Sequence, residues 1–205
     1  MPDGVRGYLV LAGTAYLIGS IPFALIVTAI FKRADLRGLG SGNLSVYNTL
    51  FNVGKIPALI VVIGNCAAAY SALALTRTLF PSDPFAVLIT LIAITVGSMW
   101  QLFAGFKGSR GSTTAGWSLL FANPLLWLAM LALWVAIVLV RRRTTTATHI
   151  LHFSAPAMFW LVGQSWPYAA AGAALGAFLQ LKVKFSKDDT VSLGLFRRIG
   201  VNVHR

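Results

Sequence analysis

The chain has 205 residues, of which 57% are apolar and only 11% charged, with a mean hydropathy of +0.76. A soluble domain carries roughly a quarter charged residues, and a disordered one pairs low hydrophobicity with high charge, so both classes are excluded. Glutamate is absent, the five carboxylates are Asp3, Asp35, Asp83, Asp188 and Asp189, and Cys66 is the lone cysteine. Paired-carboxylate chemistry, metal cages and an intramolecular disulfide are excluded with them.

A helix needs about 20 mostly apolar residues to cross a hydrocarbon layer roughly 30 Å thick. Apolar segments lie near 8–31, 56–75, 85–104, 124–140, 146–163 and 167–181, and a shorter small-residue stretch at 112–122 precedes Asn123-Pro124. Counting that stretch as a crossing, the sequence predicts an all-α polytopic membrane protein of one domain with seven transmembrane helices. The amino terminus lies outside, the carboxyl terminus is cytoplasmic, and residues 182–205 form a basic tail. This arrangement puts Lys32, Arg33, Arg37, Lys55, Lys107, Arg110, Arg141, Arg142 and Arg143 inside. The tail adds Lys182, Lys184, Lys187, Arg197, Arg198 and Arg205, and only Arg6 and Arg77 remain outside. Such a bias is what the positive-inside rule demands. The net charge of +12 therefore reads as topology and attraction to anionic lipid, with no nucleic-acid partner. Only Arg6 precedes the first apolar segment, so that segment reads as a retained span rather than a signal peptide.

The loop after the first segment is the longest and carries Arg37, then Gly40-Ser41-Gly42-Asn43, then Asn48. A long loop in a compact protein is usually functional. The loop before 112–122 repeats the chemistry as Lys107-Gly108-Ser109-Arg110-Gly111, followed by Thr114. Glycines permit close backbone approach, so successive N–H groups can face one concavity and, with Lys or Arg beside them, hold a phosphate. Glycines that merely allow tight turns explain either loop alone equally well. Two basic, glycine-rich loops on one membrane face favour anion binding. A third polar turn, Arg141-Arg142-Arg143-Thr144-Thr145-Thr146-Ala147-Thr148, reads as a stop-transfer cluster, yet Thr145 and Thr148 share a helix face and can donate to a ligand. His149 and His152 read as interhelical hydrogen-bonding residues, and without a carboxylate they make no metal site.

These residues carry a resemblance. Gly19-Ser20-Ile21-Pro22-Phe23, Asp35-Leu36-Arg37, Gly40-Ser41-Gly42-Asn43, Asn48 and Gly54-Lys55 together resemble the bacterial acyl-phosphate:glycerol-3-phosphate acyltransferase family (PlsY). Residues Gly105 to Gly111 with Thr114 are similar to its second glycine-rich motif, and Thr145-Thr146-Ala147-Thr148 to its hydroxyl-rich third. The resemblance implies a seven-span inner-membrane enzyme with a cytoplasmic active face. It uses no metal or cofactor and moves an acyl group from acyl phosphate to the 1-hydroxyl of glycerol 3-phosphate, giving lysophosphatidic acid in phospholipid synthesis. It assigns catalysis to Arg110, Ser41 and Asn43. Substrate binding falls to Arg37, Gly40, Gly42, Asn48, Lys107, Gly108, Ser109, Gly111, Thr114, Thr145 and Thr148.

The chain departs from the family pattern at several positions. Phe51 stands for an Arg, Asn65 and Ala68 for an Asp and a Lys, Ser98 and Gln101 for a His and a Pro, and Ser109-Arg110 for Gly-Lys. A His of the family near Lys182-Val183 is also missing. These losses leave a second reading open: a non-catalytic relative that binds a lipid or phosphorylated ligand, or serves as a membrane partner of other phospholipid-synthesis enzymes.

Overall fold

The computed structural model describes residues 4–142 and 144–186. Arg143, Lys187, Asp188, Asp189, Arg197, Arg198 and Arg205, and with them most of the expected basic tail, lie outside the described residues. The described chain is all α: α1 (Gly4–Gly19), α2 (Phe23–Lys32), α3 (Val46–Asn52), α4 (Lys55–Leu79), α5 (Pro84–Met99), α6 (Ser112–Ala122), α7 (Pro124–Arg141), α8 (Thr144–Gly163) and α9 (Trp166–Phe185). Short 3-10 turns occupy Leu36–Gly38 and Leu102–Ala104.

The seven-span expectation is corrected. Four helical stretches among the described residues are long and apolar enough to cross a membrane: Gly4–Lys32, Lys55–Leu79, Pro84–Ala104 and Pro124–Arg141. The first is α1 and α2 taken together, broken where Pro22 withholds a backbone donor. The physical reasons for the shortfall differ. Helix α6 has 11 residues, which at about 1.5 Å per residue covers roughly half the hydrocarbon layer. Helices α8 and α9 have the length, with 20 residues each, but spend it on Thr145, Thr148, His149, His152, Gln180 and Lys182. An orientation that rested on seven crossings falls with the count. The all-α, multi-pass architecture stands.

Small residues let the helices approach. Gly19 on α1 and Gly97 on α5 abut, and the Tyr16 hydroxyl donates to the Trp100 carbonyl at 2.7 Å. On α9, Gly172 and Gly176 form a small-xxx-small face that lies on the backbone of Ala155 and His152 in α8. Pro156 has no N–H for the His152 carbonyl, and that carbonyl meets Gly176 instead. The largest buried cluster joins α5, α6, α7, α8 and α9 through Leu91, Met99, Leu119, Leu126, Phe159 and Leu175. Exposed Leu9, Ile63, Leu125, Leu139, Phe153 and Leu161 face outward, as a lipid solvent allows.

Candidate active site

The first glycine-rich loop is built around one amide. Asn48 is 1% exposed. Its Nδ2 donates to the carbonyls of Leu39 (3.0 Å) and Asn43 (2.9 Å), while its Oδ1 accepts from the Ser41 N–H (3.4 Å) and Asn52 Nδ2 (2.8 Å). One side chain thereby satisfies both ends of the Gly40-Ser41-Gly42-Asn43 turn. Gly40, at φ 54°, admits no side chain, because a Cβ there would strike the amides of Asn48 and Asn52. The Ser41 hydroxyl accepts from the Asn43 N–H at 3.2 Å, and Ser45 caps α3 through the Asn48 N–H at 3.0 Å.

Ahead of this turn, Asp35 accepts from the Arg37 backbone N–H and takes the guanidinium on both carboxylate oxygens, at 2.6 to 3.0 Å. Hydrogen bonds from Arg37 hold the Asp35 carboxyl below the usual carboxylate range and push the Arg37 guanidinium up. Arg37 Nη1 also donates to the Ala104 carbonyl at 3.3 Å. The expected substrate-binding Arg37 is thus engaged in bracing the first loop against the second.

The second loop closes over the end of α5. Ser109 N–H and Oγ both donate to the Ser98 carbonyl (3.0 and 3.3 Å), and Ser109 Oγ accepts from the Gly111 N–H at 3.0 Å. Gly108 is buried, and a Cβ there would lie 2.5 Å from the carbonyl oxygens of Ser98 and Met99. The two loops touch: the Leu44 N–H donates to the Gly108 carbonyl at 3.3 Å. Two segments 64 positions apart in sequence become one polar rim. Lys32 Nζ, donating to the Asn52 carbonyl at 2.6 Å, ties the end of α2 to the same rim.

Below the rim lies a cavity of about 490 Å³ between α6, α7, α8 and α9. Its mouth is polar, formed by Ser109, Arg110, Gly111, Ser112, Thr145 and Thr148, with Ser45 and Tyr47 from the first loop. The N-terminus of α6, whose leading N–H groups have no intrahelical partner, opens there beside Arg110. Deeper, Leu119, Trp127, Met130, Ala155, Leu175 and Leu179 make the wall apolar. Trp134 Nε1 donates to the Thr148 hydroxyl at 3.3 Å, which sets that hydroxyl at the polar end. His149 and His152 also line the cavity, both engaged with Gln180 on α9, so the interhelical role expected of them is present.

Of the residues expected to form the site, Ser109, Arg110, Gly111, Thr145 and Thr148 line the cavity. Gly40, Ser41, Gly42, Asn43 and Asn48 form the loop beside it. Gly108 lies beneath the rim, Lys107 is exposed, and Thr114 is buried without lining the cavity. Sequence reasoning passed over Ser45, Tyr47, Ser112, Thr113 and the α7 face made by Trp127, Met130, Leu131 and Trp134. Helix α7 is apolar all round, so that face carries no signal of its own in the sequence.

A family profile described as Glycerol-3-phosphate acyltransferase matches residues 9–188. The chain belongs to the glycerol-3-phosphate acyltransferase family. It is 33% identical over 192 residues to the glycerol-3-phosphate acyltransferase of Bordetella pertussis (strain Tohama I), covering 93% of this chain and 84% of that one. It is 32% identical over 191 residues to that of Laribacter hongkongensis (strain HLHK9), covering 91% and 93%. The crystal structure of PlsY (YgiH), an integral membrane glycerol 3-phosphate acyltransferase, in its glycerol 3-phosphate form is similar at a TM-score of 0.75 and 25% identity. That match covers 97% of this chain and 95% of that one. The lysophosphatidic acid form of PlsY, at 0.74 and 23%, shares the fold.

Three of the positions that the resemblance marks as departures have local contacts of their own. The Ser98 hydroxyl donates to the Thr95 carbonyl at 2.8 Å, and Phe51 stacks on Tyr47 with ring centroids 6.5 Å apart. Ala68 packs in the cluster with Ala15, Ala72 and Ile94.

Proposed function

We propose that this protein transfers a fatty acyl group from acyl phosphate to the 1-hydroxyl of glycerol 3-phosphate, giving lysophosphatidic acid and inorganic phosphate. One observation carries the reading: a single cavity has a cationic, donor-rich mouth where two glycine-lined loops meet, and an apolar depth between four helices. That polarity is the polarity of an acyl phosphate. The reading is further supported by family membership and by likeness to a solved acyltransferase in its glycerol 3-phosphate form.

In this reading Arg110, Ser109, the α6 N-terminus and the hydroxyls of Thr145 and Thr148 hold the acyl-phosphate head. Ser41 and Asn43 orient the second phosphate at the rim, with Gly40, Gly42, Asn48 and Gly108 shaping the loops and Lys107 adding positive charge. Arg guanidinium groups bind phosphate oxygens in pairs, and a preorganised cluster of donors stabilises charge developing on the departing phosphate. The 1-hydroxyl oxygen attacks the acyl carbon, the acyl–phosphate C–O bond breaks with its electrons going to phosphate, and the hydroxyl proton passes to a phosphate oxygen. No side-chain base is consumed. Placement of both substrates supplies most of the rate.

The reading sets this face on the cytoplasmic side of the inner membrane. Lys32, Lys55, Arg110, Arg141 and Lys184 all lie at helix ends on the side of the rim, whereas Arg77 bonds the Phe121 carbonyl at the opposite end of α6.

The test is direct: purified protein in lipid, with acyl phosphate and labelled glycerol 3-phosphate. Equal amounts of labelled lysophosphatidic acid and phosphate are expected. Absence of the labelled lipid at every substrate level overturns the assignment and leaves a ligand-binding relative.

A further inference from the structure

Along α6 and α7 the cavity lining stops at Leu119 and Trp127, short of the turn that joins the two helices. Measured along the helices at about 1.5 Å per residue, Leu119 lies about 10 Å below Ser112 on α6, and Leu175 about 16 Å below Ser186 on α9. Two acyl chains end to end make a hydrocarbon layer roughly 30 Å thick, so one ordinary chain needs about half of that. The cavity matches one leaflet.

What stops it is the α6–α7 hairpin. Helix α6 ends at Ala122, and Asn123 turns the chain, its Oδ1 accepting from the Leu126 N–H at 3.0 Å to cap α7. The turn is fixed in place. Arg77 Nη2 donates to the Phe121 carbonyl at 2.6 Å, Phe121 stacks on Trp117 and meets Tyr70 edge-on, and the Asn123 carbonyl accepts from the Trp127 N–H at 3.0 Å. Leu119 and Trp127, each four residues from Asn123, are the deepest cavity-lining positions of α6 and α7. Leu126 and Phe159, each 1% exposed and outside the cavity lining, pack in one buried cluster with Leu119, against which Trp127 lies.

We infer that Trp127, one helical turn from the apex of the pinned α6–α7 hairpin, is the floor of the acyl channel and sets the longest acyl chain the enzyme accepts. The inference rests on the acyltransferase reading and adds to it the property that composition could not supply, chain-length selection. A methylene that fits the channel gains about fourfold in binding, and one that meets a rigid floor forfeits this and adds strain. The profile of rate against chain length therefore rises, then breaks.

The experiment measures kcat/KM for saturated acyl phosphates lengthened two carbons at a time, with wild-type protein, Trp127→Ala and Met130→Trp. Wild type is expected to show a sharp upper limit. Trp127→Ala moves that limit up by at least one step, raising the rate of the first excluded donor about tenfold relative to the wild-type optimum. Met130→Trp moves the limit down. A wild-type rate that does not break at long chains overturns the floor without recourse to any variant. Turnover in either variant with the wild-type limit unchanged also overturns it. If wild type turns over no donor of any length, the acyltransferase reading itself has failed, which is a different result.

Discussion

Asn48 holds the first loop through four hydrogen bonds of its side-chain amide. Its amide closes both ends of the Gly40–Asn43 turn from a fully buried position, so Asn48→Ala removes one hydrogen bond each from the Leu39 carbonyl, the Asn43 carbonyl and the Ser41 N–H. Each such bond contributes about 0.5–1.5 kcal/mol net. Thermal unfolding of the variant is expected to show a loss of about 2–4 kcal/mol, with turnover lowered in parallel. Asp35 makes a complementary prediction about pH. Its folded pKa is depressed, so its contribution is present above the unfolded value of about 3.9 and fades as pH falls through the folded one. Between pH 5 and 9 the brace is constant. An activity profile over that range is expected to have the same shape in Asp35→Asn as in wild type, at a lower plateau. A changed shape would assign the titration to Asp35 after all. Arg37 was legible as part of a functional loop from its neighbours. Its commitment to Asp35 and Ala104 was not, because Ala104 is 67 positions away and a backbone carbonyl leaves no mark in sequence.

At the scale of elements, glycine spacing was the most informative signal and hydropathy the least. The small-xxx-small pair Gly172 and Gly176 brings α9 onto α8 at Ala155 and His152. Gly172→Leu is expected to force the two helices apart and lower the unfolding temperature of the purified protein by several degrees; an unchanged value would remove the tight contact. Hydropathy, by contrast, treats 146–163 and 167–181 as crossings because it scores each segment against lipid, and the shorter 112–122 stretch counts as one only to balance the charges. Helices α8 and α9 place Thr148, His149, His152 and Gln180 against one another and the cavity instead. Polar groups satisfied inside a helix group need no apolar compensation. That is why a count by apolar length overshoots, and why the polar turns it treats as boundaries belong to the site.

For the whole molecule, the function follows from convergence. Each glycine-rich loop alone is compatible with a tight turn; the Leu44–Gly108 bond and the common cavity make them one rim. The motifs, their order and the family were legible in the sequence, because turn chemistry is local. The cavity was not, since its walls come from four helices and its apolar face from Trp127, Met130 and Trp134, which in isolation look like any lipid-facing stripe. In the proposed function Arg110, which lines the cavity mouth, is the cation that holds the phosphate. The measurement that bears most directly on this is the initial rate of lysophosphatidic acid formation by Arg110→Ala beside wild type, both folded in lipid. The account predicts a fall of at least about tenfold, equivalent to about 1.4 kcal/mol of lost charge-assisted binding in the transition state, with partial recovery in Arg110→Lys. Equal rates in Arg110→Ala and wild type would mean that the phosphate is held elsewhere.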